Sequence, residues 1–490
     1  MNKSDIHMQL MRTFRQYPNN AVFQDATRIV SYREFNDSVN AMSRIFHERG
    51  FKEDRMIAVL GGNCIEYLVT LHALWKIKCI PVLLNVRWPP DSIIRTLQSL
   101  GIKKMLTGSS YFQDIPHTCS VYSFSDVINS SSMMTGRDEF YGELLDPEQE
   151  ATIIFTSGSS GEPKAVLHTF GNHLYSALGS NQNIEVIPGD CWLVSLPLYH
   201  VGGLSITLRT MLVGATAWFQ TAGTDLISAI PNENITHLSL VATQLYRLLQ
   251  NQQIIPRLRR LKAILLGGGP IPENLIKQAV NYQLPVYTSY GSTEMSSQVT
   301  TTRPGDSLEH LLTSGCLLPF RQLHFSAESE ILVKGETLFK GYVGPNGLKK
   351  NCDSDGWFHT GDTGKIDDSG YLTLSGRTDN MFISGGENIQ PEEIERFVRH
   401  ISQVEEVIVV PVEDFEYGFR PVAFVKLKNR ESWQPTIKEI KNYLKSNLPG
   451  YKLPDRYLNW PKDQSIPAGL KLNRGYFRQL AEKQISTKDL

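Results

Sequence analysis

The chain alternates short apolar runs with segments of helical periodicity. The run RMIAVLG precedes the helical pattern CIEYLVTLHALWKI, and CIPVLLN precedes DSIIRTLQSLG. Further along, AILLGGGPI leads into NLIKQAVNYQ and then into PVYTSYGSTE, which repeats the order strand, helix, strand. This alternation predicts an α/β fold with parallel strands, in which ligands bind at the carboxyl ends of the strands. Both GGGP and YGSTE stand at such ends.

A polar, glycine-rich stretch, SGRTDNMFISGGENIQPEEIE, separates the larger part of the chain from a compact tail of α+β character. We therefore expect a large N-terminal domain, residues 1–378, and a small C-terminal domain, residues 379–490. From Lys426 to Leu490 the chain has fourteen Lys or Arg against six Asp or Glu, a local charge of +8 in a chain whose total is −1. A basic small domain would attract polyanionic ligands, although a solvated basic surface explains the same charge.

Composition narrows the class of partner. The 490 residues are 41% hydrophobic and 20% charged, as in a globular protein. The small net charge predicts neither a nucleic-acid partner nor a membrane-surface partner, so a small molecule is the expected ligand. Six scattered cysteines without a C-x-x-C pair predict reduced thiols in a cytoplasmic protein. The N-terminus has no apolar signal core, and no segment is expected to span a membrane.

The stretch TSGSSGEPK, Thr156 to Lys164, is a candidate phosphate cradle between the apolar runs ATIIF and AVLHT. Glycines let backbone N–H groups turn toward an anion, hydroxyl groups add donors, and the lysine adds a positive charge. The spacing differs from a Walker-type loop, because the loop glycines are three residues apart and the loop joins two predicted strands. A polar hairpin turn is the alternative interpretation.

Five motifs, TSGSSGEPK, YGSTE, HTGD, GRTDNMFISGGENI and LKLNR, occur in one order along the chain. In this order the chain resembles the acyl-adenylate-forming superfamily of acyl-CoA synthetases, peptide-synthetase adenylation domains and luciferases, from about Phe23 to Arg474. The resemblance implies a large domain of parallel sheets and helices and a small mobile α+β domain. It also implies a ligase that uses ATP, Mg²⁺ and coenzyme A. A carboxylate first attacks the α-phosphate of ATP, and the thiol of coenzyme A then displaces AMP.

By this resemblance, one set of residues contacts ATP. Lys164 and the loop hydroxyls would hold the β- and γ-phosphates, Tyr290 would stack on the base, and Asp362 would bind the ribose. Asp362 or Arg377 could instead be half of a structural ion pair. The full set is Thr156, Ser157, Gly158, Ser159, Ser160, Gly161, Lys164, Gly267, Gly268, Gly269, Pro270, Tyr290, Gly291, Asp362 and Arg377.

The resemblance assigns the remaining steps to a few further residues. Thr293 would contact the α-phosphate, and Glu294 supplies a carboxylate of the kind that Mg²⁺ accepts. Lys471 matches the catalytic lysine of the small domain, and Asp379 matches the hinge between the domains. The loop residues Ser384, Gly385 and Gly386 would lie where coenzyme A enters. The match departs from the family at Leu470, where many members carry glycine before the lysine.

The stretch LPLYHVGGLSITLRTML turns from a loop into a mostly apolar helix that places Arg209 on its predicted buried side. A buried arginine requires an anionic or hydrogen-bonding partner, which could also be a structural ion pair. Three further stretches, HTFGNHLYSA, THLSLVATQLYRLL and SGGENIQPEEIE, are more similar to the 2-succinylbenzoate–CoA ligases of menaquinone biosynthesis than to fatty-acyl or acetyl-CoA synthetases. That resemblance implies that Arg209 faces the aromatic carboxylate, His200 lies beside the reacting carboxylate, and Ser292 borders the pocket.

Two other classes of function stay open at this point. The chain could ligate a different acyl or aryl acid, or it could be a stand-alone adenylation enzyme that loads a carrier protein. An inert nucleotide sensor is expected to have lost Lys471 or Glu294, and both are present. The sequence leaves oligomeric state undecided, so a homo-oligomer is possible.

Overall fold

The structure is a computed structural model that describes residues 3–108, 119–124, 146–156, 163–220, 224–230, 234–384, 387–414, 417–429, 433–461 and 473–486. It divides into two compact units. The first comprises Met1–Gly268, Ala279–Leu323 and Val333–Phe358, and the second comprises Gly269–Gln278, His324–Leu332 and His359–Leu490.

The helices of the described residues are, in chain order, α1 (Lys3–Gln16), α2 (Tyr32–Glu48), α3 (Ile65–Lys76), α4 (Pro90–Ser99), α5 (Phe170–Asn181), α6 (Val201–Met211), α7 (Leu226–Ala229), α8 (Ala242–Leu249), α9 (Ile255–Leu258), α10 (Glu273–Asn281), α11 (Leu308–Leu311), α12 (Pro391–Arg399), α13 (Trp433–Asn447) and α14 (Arg474–Ser486).

The strands are β1 (Ala21–Gln24), β2 (Ile29–Ser31), β3 (Met56–Leu60), β4 (Ile80–Leu84), β5 (Lys104–Thr107), β6 (Ser120–Ser123), β7 (Glu150–Thr156), β8 (Lys164–Thr169), β9 (Cys191–Val194), β10 (Thr216–Phe219), β11 (His237–Leu240), β12 (Ala263–Leu266), β13 (Val286–Ser292), β14 (Ser297–Thr301), β15 (Cys316–Leu317), β16 (Arg321–Phe325), β17 (Glu330–Gly335), β18 (Gly341–Gly344), β19 (Gly347–Lys349), β20 (Phe358–Ile366), β21 (Leu372–Arg377), β22 (Phe382–Ser384), β23 (Glu387–Ile389), β24 (Val404–Asp414), β25 (Gly418–Leu427) and β26 (Arg456–Asn459).

Two large sheets form the first unit. One has nine strands in the order β15-β14-β13-β12-β11-β9-β10-β1-β2, and the other has eight in the order β19-β18-β8-β7-β4-β3-β5-β6. In the nine-stranded sheet β9 to β13 run parallel, while β14 pairs antiparallel with β13. In the eight-stranded sheet β3, β4, β5 and β7 are parallel, and β8 returns antiparallel beside β7. The α/β fold predicted from the alternating pattern is confirmed.

Local sequence explains where the helices of the first unit begin. The hydroxyl of Ser31 accepts a hydrogen bond from the Glu34 N–H at 3.2 Å, and the Glu34 carboxylate accepts one from the Ser31 N–H at 2.8 Å. This reciprocal cap satisfies donors that the first turn of α2 leaves free.

Helix α3 is apolar on nearly all sides and is buried through most of its length, with Trp75 at 0% exposure. A helix without a polar face belongs inside a large core, as here.

The second unit has a core of its own around β24, β25 and β26. Strands β24 and β25 pair antiparallel over their lengths, and β26 runs parallel to β25. Apolar residues of α12 and α13 pack on this sheet, among them Ile394 and Ile440, which are both fully buried. The unit also contains the antiparallel pair β20 and β21, which belongs to a sheet in the order β16-β17-β20-β21. The sequence-based expectation of a compact α+β tail agrees with this architecture.

The structure leaves all six cysteines as free thiols, as expected from their scattered positions. None of the helices in the described ranges combines the length and the apolar composition that crossing a bilayer requires.

Buried histidines make the stability of the fold dependent on pH. His72 is fully buried between the rings of Phe35 and Trp75, and burial lowers its pKa from 6.5 to about 3. Between these two values the unfolded chain binds one more proton than the folded chain. The stability is therefore complete above about pH 6.5 and is lost as the pH falls toward the folded value.

We predict that His72→Leu reduces the acid sensitivity of unfolding. Each buried neutral histidine contributes a slope of about 1.4 kcal/mol per pH unit in this window. Denaturant unfolding of the parent and the variant at pH 7, 6 and 5 measures the difference. Parallel pH dependences for the two proteins would contradict the expected role of this ring.

Candidate active site

The predicted phosphate loop closes a β-hairpin. Strand β7 ends at Thr156, β8 begins at Lys164, and these two residues are paired across the strands. The expectation that the loop joins two strands is therefore confirmed. The Lys164 ammonium lies 5.4 Å from the centroid of the Tyr342 ring, within the range of a cation–π interaction. Five predicted loop contacts lie outside the described residues, namely Ser157, Gly158, Ser159, Ser160 and Gly161.

Tyr342 connects the lysine to the predicted metal ligand. Thr293 and Glu294 lie in the turn between β13 and β14, and the Tyr342 hydroxyl donates to Glu294 Oε1 at 2.8 Å. The Tyr342 side chain thus contacts both Lys164 and Glu294, which are distant in sequence. Sequence reasoning missed Tyr342, because a tyrosine next to a glycine is ordinary in strands and turns.

The donor set fits a magnesium ion that is shared with phosphate oxygens. Glu294 is half-buried, and no ion pair of the described residues occupies its carboxylate. The described residues contain no cluster of three or more acidic, histidine or cysteine side chains that could hold a metal ion unaided. Mg²⁺ binds through one or two carboxylates together with substrate phosphates, so a single glutamate that shares Tyr342 with Lys164 is suitable.

The predicted adenosine contacts follow two adjacent parallel strands. Residues 267–270, which are Gly267, Gly268, Gly269 and Pro270, follow β12, while Tyr290, Gly291 and Ser292 are the last residues of β13. A Cβ on Gly291 would lie 2.1 Å from the Ser297 carbonyl oxygen, so only glycine allows β14 to approach here. Gly268 has φ +83°, a left-handed conformation that favours glycine. Tyr290 is buried at 7% exposure.

His200 immediately precedes α6 and ends a loop that Asn63, from a distant part of the sequence, holds by hydrogen bonds. Asn63 donates to the Leu196 carbonyl at 2.8 Å and accepts from the Leu198 N–H at 2.9 Å. Burial and the nearby Arg87 cation lower the pKa of His200 below its ordinary value, so the ring is neutral at pH 7. Sequence reasoning did not identify Asn63, whose role depends on a contact between distant segments.

Arg209 is a buried cation in the last turn of α6. Its side chain is 1% exposed, and Nη2 donates to Gln298 Oε1 at 2.8 Å and to Ser297 Oγ at 3.2 Å. The guanidinium carbon lies 5.3 Å from the Trp192 ring centroid. Within the described part of the chain, Arg209 has no carboxylate partner, and its Nε has no hydrogen-bond acceptor.

Among the described residues, the charge of Arg209 is therefore solvated by neutral groups alone. Burial lowers its pKa to about 9, which still leaves the guanidinium protonated at pH 7. A buried cation of this kind is costly unless an anion reaches it. The prediction that Arg209 faces the interior is confirmed, and the structural ion pair considered as an alternative is absent among the described residues.

In the second unit, three predicted residues form one ionic cluster. Asp362 and Arg377 are paired across β20 and β21, with Nη1 of the arginine 2.9 Å from Oδ1 of the aspartate. Arg377 Nε also donates to Asp379 Oδ1 at 2.8 Å. These three neighbours are the residues that the family resemblance assigns to ribose binding, to a second nucleotide contact and to the hinge. Their assigned roles stay predictions.

Ser384 ends β22 and is buried, and its hydroxyl accepts a hydrogen bond from Arg420 Nη1 at 3.3 Å. Its predicted loop neighbours Gly385 and Gly386 lie outside the described residues, and so does the predicted catalytic Lys471.

Comparison with known proteins places these motifs in a family. The model of the family described as "AMP-binding enzyme" matches residues 10–343. The model described as "AMP-binding enzyme C-terminal domain" matches residues 393–465. A 2-succinylbenzoate–CoA ligase of Bacillus cereus strain Q1 is 32% identical over 95% of this chain and 97% of its own length.

Solved structures agree in fold over nearly the whole chain. The o-succinylbenzoate CoA synthetase (MenE) from Bacillus subtilis in complex with the acyl-adenylate intermediate OSB-AMP has a TM-score of 0.84 at 28% identity, covering 96% of this chain and 97% of that chain. A structure of the Bacillus subtilis synthetase in complex with ATP and magnesium ion has a TM-score of 0.83 at 28% identity, covering 95% and 98%. Because the first family description spans more than half of the sequence, the chain belongs to the AMP-binding enzyme family.

Proposed function

We propose that this enzyme ligates 2-succinylbenzoate to coenzyme A through an acyl-adenylate, with release of AMP and pyrophosphate. The observation that carries the proposal is the buried Arg209 cation, which has no carboxylate partner among the described residues. An acid with a second carboxylate would supply one. The Bacillus relatives named for this acid support the same choice.

In the first half-reaction the chain binds ATP and orients the acid. Lys164 holds the β- and γ-phosphates at the start of β8, and Thr293 contacts the α-phosphate from the turn after β13. Glu294 would hold Mg²⁺, which when bound offsets the negative charge of the phosphates. The neutral His200 ring lies beside the succinyl carboxylate that attacks, while Arg209 binds the aromatic carboxylate and so orients the reacting end.

In the second half-reaction the thiol of coenzyme A displaces AMP from the acyl-adenylate. We propose that residues 379–490 act as a separate small domain with Asp379 as its pivot, and that Ser384, Gly385 and Gly386 border the thiol entry. Lys471 serves only the first half-reaction, where a positive charge stabilises the transition state at the α-phosphate.

We further propose that the enzyme acts in the cytoplasm, in menaquinone biosynthesis. The six free thiols suit a reducing compartment. Its proposed partners are small molecules.

The first prediction concerns the choice of acid. We expect the enzyme to prefer 2-succinylbenzoate over benzoate, succinate and medium-chain fatty acids. The measurement is AMP release that depends on both the acid and free coenzyme A. Equal activity on a fatty acid would restrict the assignment to acyl-CoA ligases in general, and acyl transfer only to a carrier protein would favour the adenylation module.

Arg209→Met tests the pocket cation, because methionine keeps much of the volume and removes the charge. We expect KM for 2-succinylbenzoate to rise by at least about 30-fold, since losing one partner of a buried charge pair costs roughly 2–5 kcal/mol. KM for ATP should change little.

The matched substrate control for Arg209 is 4-oxo-4-phenylbutanoate, which has the succinyl chain and ring without the aromatic carboxylate. The parent enzyme should have low activity on this acid, and the Arg209→Met substitution should not lower that activity further. A similar loss with both acids would mean that Arg209 supports the fold and does not recognise the second carboxylate.

Lys471→Ala separates the half-reactions. Loss of one preorganised charge should lower the adenylation rate by roughly 10²- to 10³-fold, while thioester formation from supplied acyl-adenylate is largely kept. Pyrophosphate exchange measures the first step, and coenzyme A consumption with the synthetic adenylate measures the second. Equal losses in both steps would refute the assigned role of this lysine.

A further inference from the structure

The turn that carries Thr293 and Glu294 is held by hydrogen bonds from other segments. The Thr293 carbonyl accepts a bond from His168 Nε2 at 2.7 Å. The Glu294 carbonyl accepts one from the Phe339 N–H at 2.8 Å. Backbone groups of the two residues proposed to meet the α-phosphate and the metal are therefore fixed from outside the turn.

The conformation of the turn explains why outside support is needed. Ser296 has φ 57° and Ser297 has φ 130°, both in the left-handed region that favours glycine. Non-glycine residues adopt such angles only where the surrounding structure imposes them. The Ser296 carbonyl also accepts a hydrogen bond, from Ser176 Oγ at 2.8 Å. Contacts with neighbouring elements, more than local preference, thus determine the shape of this turn.

His168 is the side chain that reaches the turn from the phosphate-loop hairpin. It lies in β8, the strand that begins at Lys164, and its ring is fully buried. Its Nδ1 lies 3.4 Å from Thr152 Oγ1, which in turn lies 2.8 Å from His173 Nε2. Since His168 Nε2 donates to the Thr293 carbonyl, Nδ1 is the acceptor. Donation then runs in one direction from His173 through Thr152 and His168 to the turn.

This buried chain ties the two halves of the ATP site together. Lys164 lies at one end of β8, and the bond to the Thr293 carbonyl leaves from the same strand. His168 therefore makes one of the contacts that set the position of the turn relative to Lys164, and this contact comes from the same strand as Lys164. An error of about 1 Å in such a distance costs roughly 100-fold in rate.

We propose that His168 is a positioning residue for adenylation. Its Nε2–H holds the Thr293 carbonyl, so that Thr293 and Glu294 meet the α-phosphate and Mg²⁺ beside Lys164. The inference rests on the proposed use of ATP with Mg²⁺ and does not depend on which acid the enzyme takes.

Two variants separate the hydrogen bond from the packing. His168→Leu fills the site without a donor, whereas His168→Gln places an amide N–H near the position of Nε2. Calorimetric binding of ATP with Mg²⁺, in the absence of any acid, should be about tenfold weaker in His168→Leu, the equivalent of one lost hydrogen bond. His168→Gln should bind like the parent. Binding of ATP in EDTA should change less than binding with Mg²⁺.

The rates should follow the same order. Pyrophosphate exchange should fall roughly 100-fold in His168→Leu and recover in His168→Gln, and the Mg²⁺ concentration for half-maximal exchange should rise only in the leucine variant. His72→Leu is the matched control, because His72 is another fully buried histidine, and its ring contacts Phe35 of α2 and Trp75 of α3, outside the proposed ATP site. It should leave the Mg²⁺ requirement unchanged.

Equal affinity of the parent and His168→Leu for ATP with Mg²⁺ overturns the proposal. It is also overturned if His168→Gln is as impaired as the leucine variant. Where His168→Leu does not fold, His168→Asn provides the comparison, because its shorter side chain does not reach the carbonyl. Expected nucleotide binding together with failure to adenylate 2-succinylbenzoate would refute the proposed acid and leave the role of His168 standing.

Discussion

The hydrogen bond from His168 to the Thr293 carbonyl joins the two large sheets of the first unit at the site. Strand β8 belongs to the eight-stranded sheet, and β13, which leads into the turn, belongs to the nine-stranded sheet. Tyr342, in β18 of the eight-stranded sheet, makes a second connection between the sheets. It approaches Lys164 with its ring and donates a hydrogen bond to Glu294. Both sheets pack into close-packed cores that resist small displacements. The proposed ATP site therefore depends on how these sheets meet.

The same junction extends to the proposed acid pocket. Ser297 and Gln298, the first residues of β14 after the turn, are the described hydrogen-bond partners of the Arg209 side chain. A second buried guanidinium, that of Arg321, donates to the Gln298 carbonyl at 2.6 Å, and burial together with Arg209 lowers its pKa to about 9. Neutral oxygens orient both cations without cancelling their charge, which suits a pocket for an anionic group.

The ionic cluster of the second unit has a different physical character. The side chains of Arg377 and Asp379 are 38% and 34% exposed, and exposed ion pairs contribute little to stability. Such a pair can exchange partners at small cost, which is compatible with the proposed role of Asp379 as a pivot. By contrast, Arg474 at the start of α14 pairs with the buried Glu395 and the half-buried Glu392 of α12, which fixes the last helix to the body of the unit.

The sequence by itself determined the α/β class, the loop between two strands and the burial of Arg209, because hydrophobic periodicity and glycine spacing are local signals. It also placed Thr293 and Glu294 at the end of a parallel strand. Only the tertiary structure showed that Tyr342 and His168 contact this segment, since both contacts join residues distant along the chain. A histidine in an apolar strand and a tyrosine beside a glycine carry no pattern of their own. Their roles depend on how the two sheets come together in the fold, which local sequence does not encode.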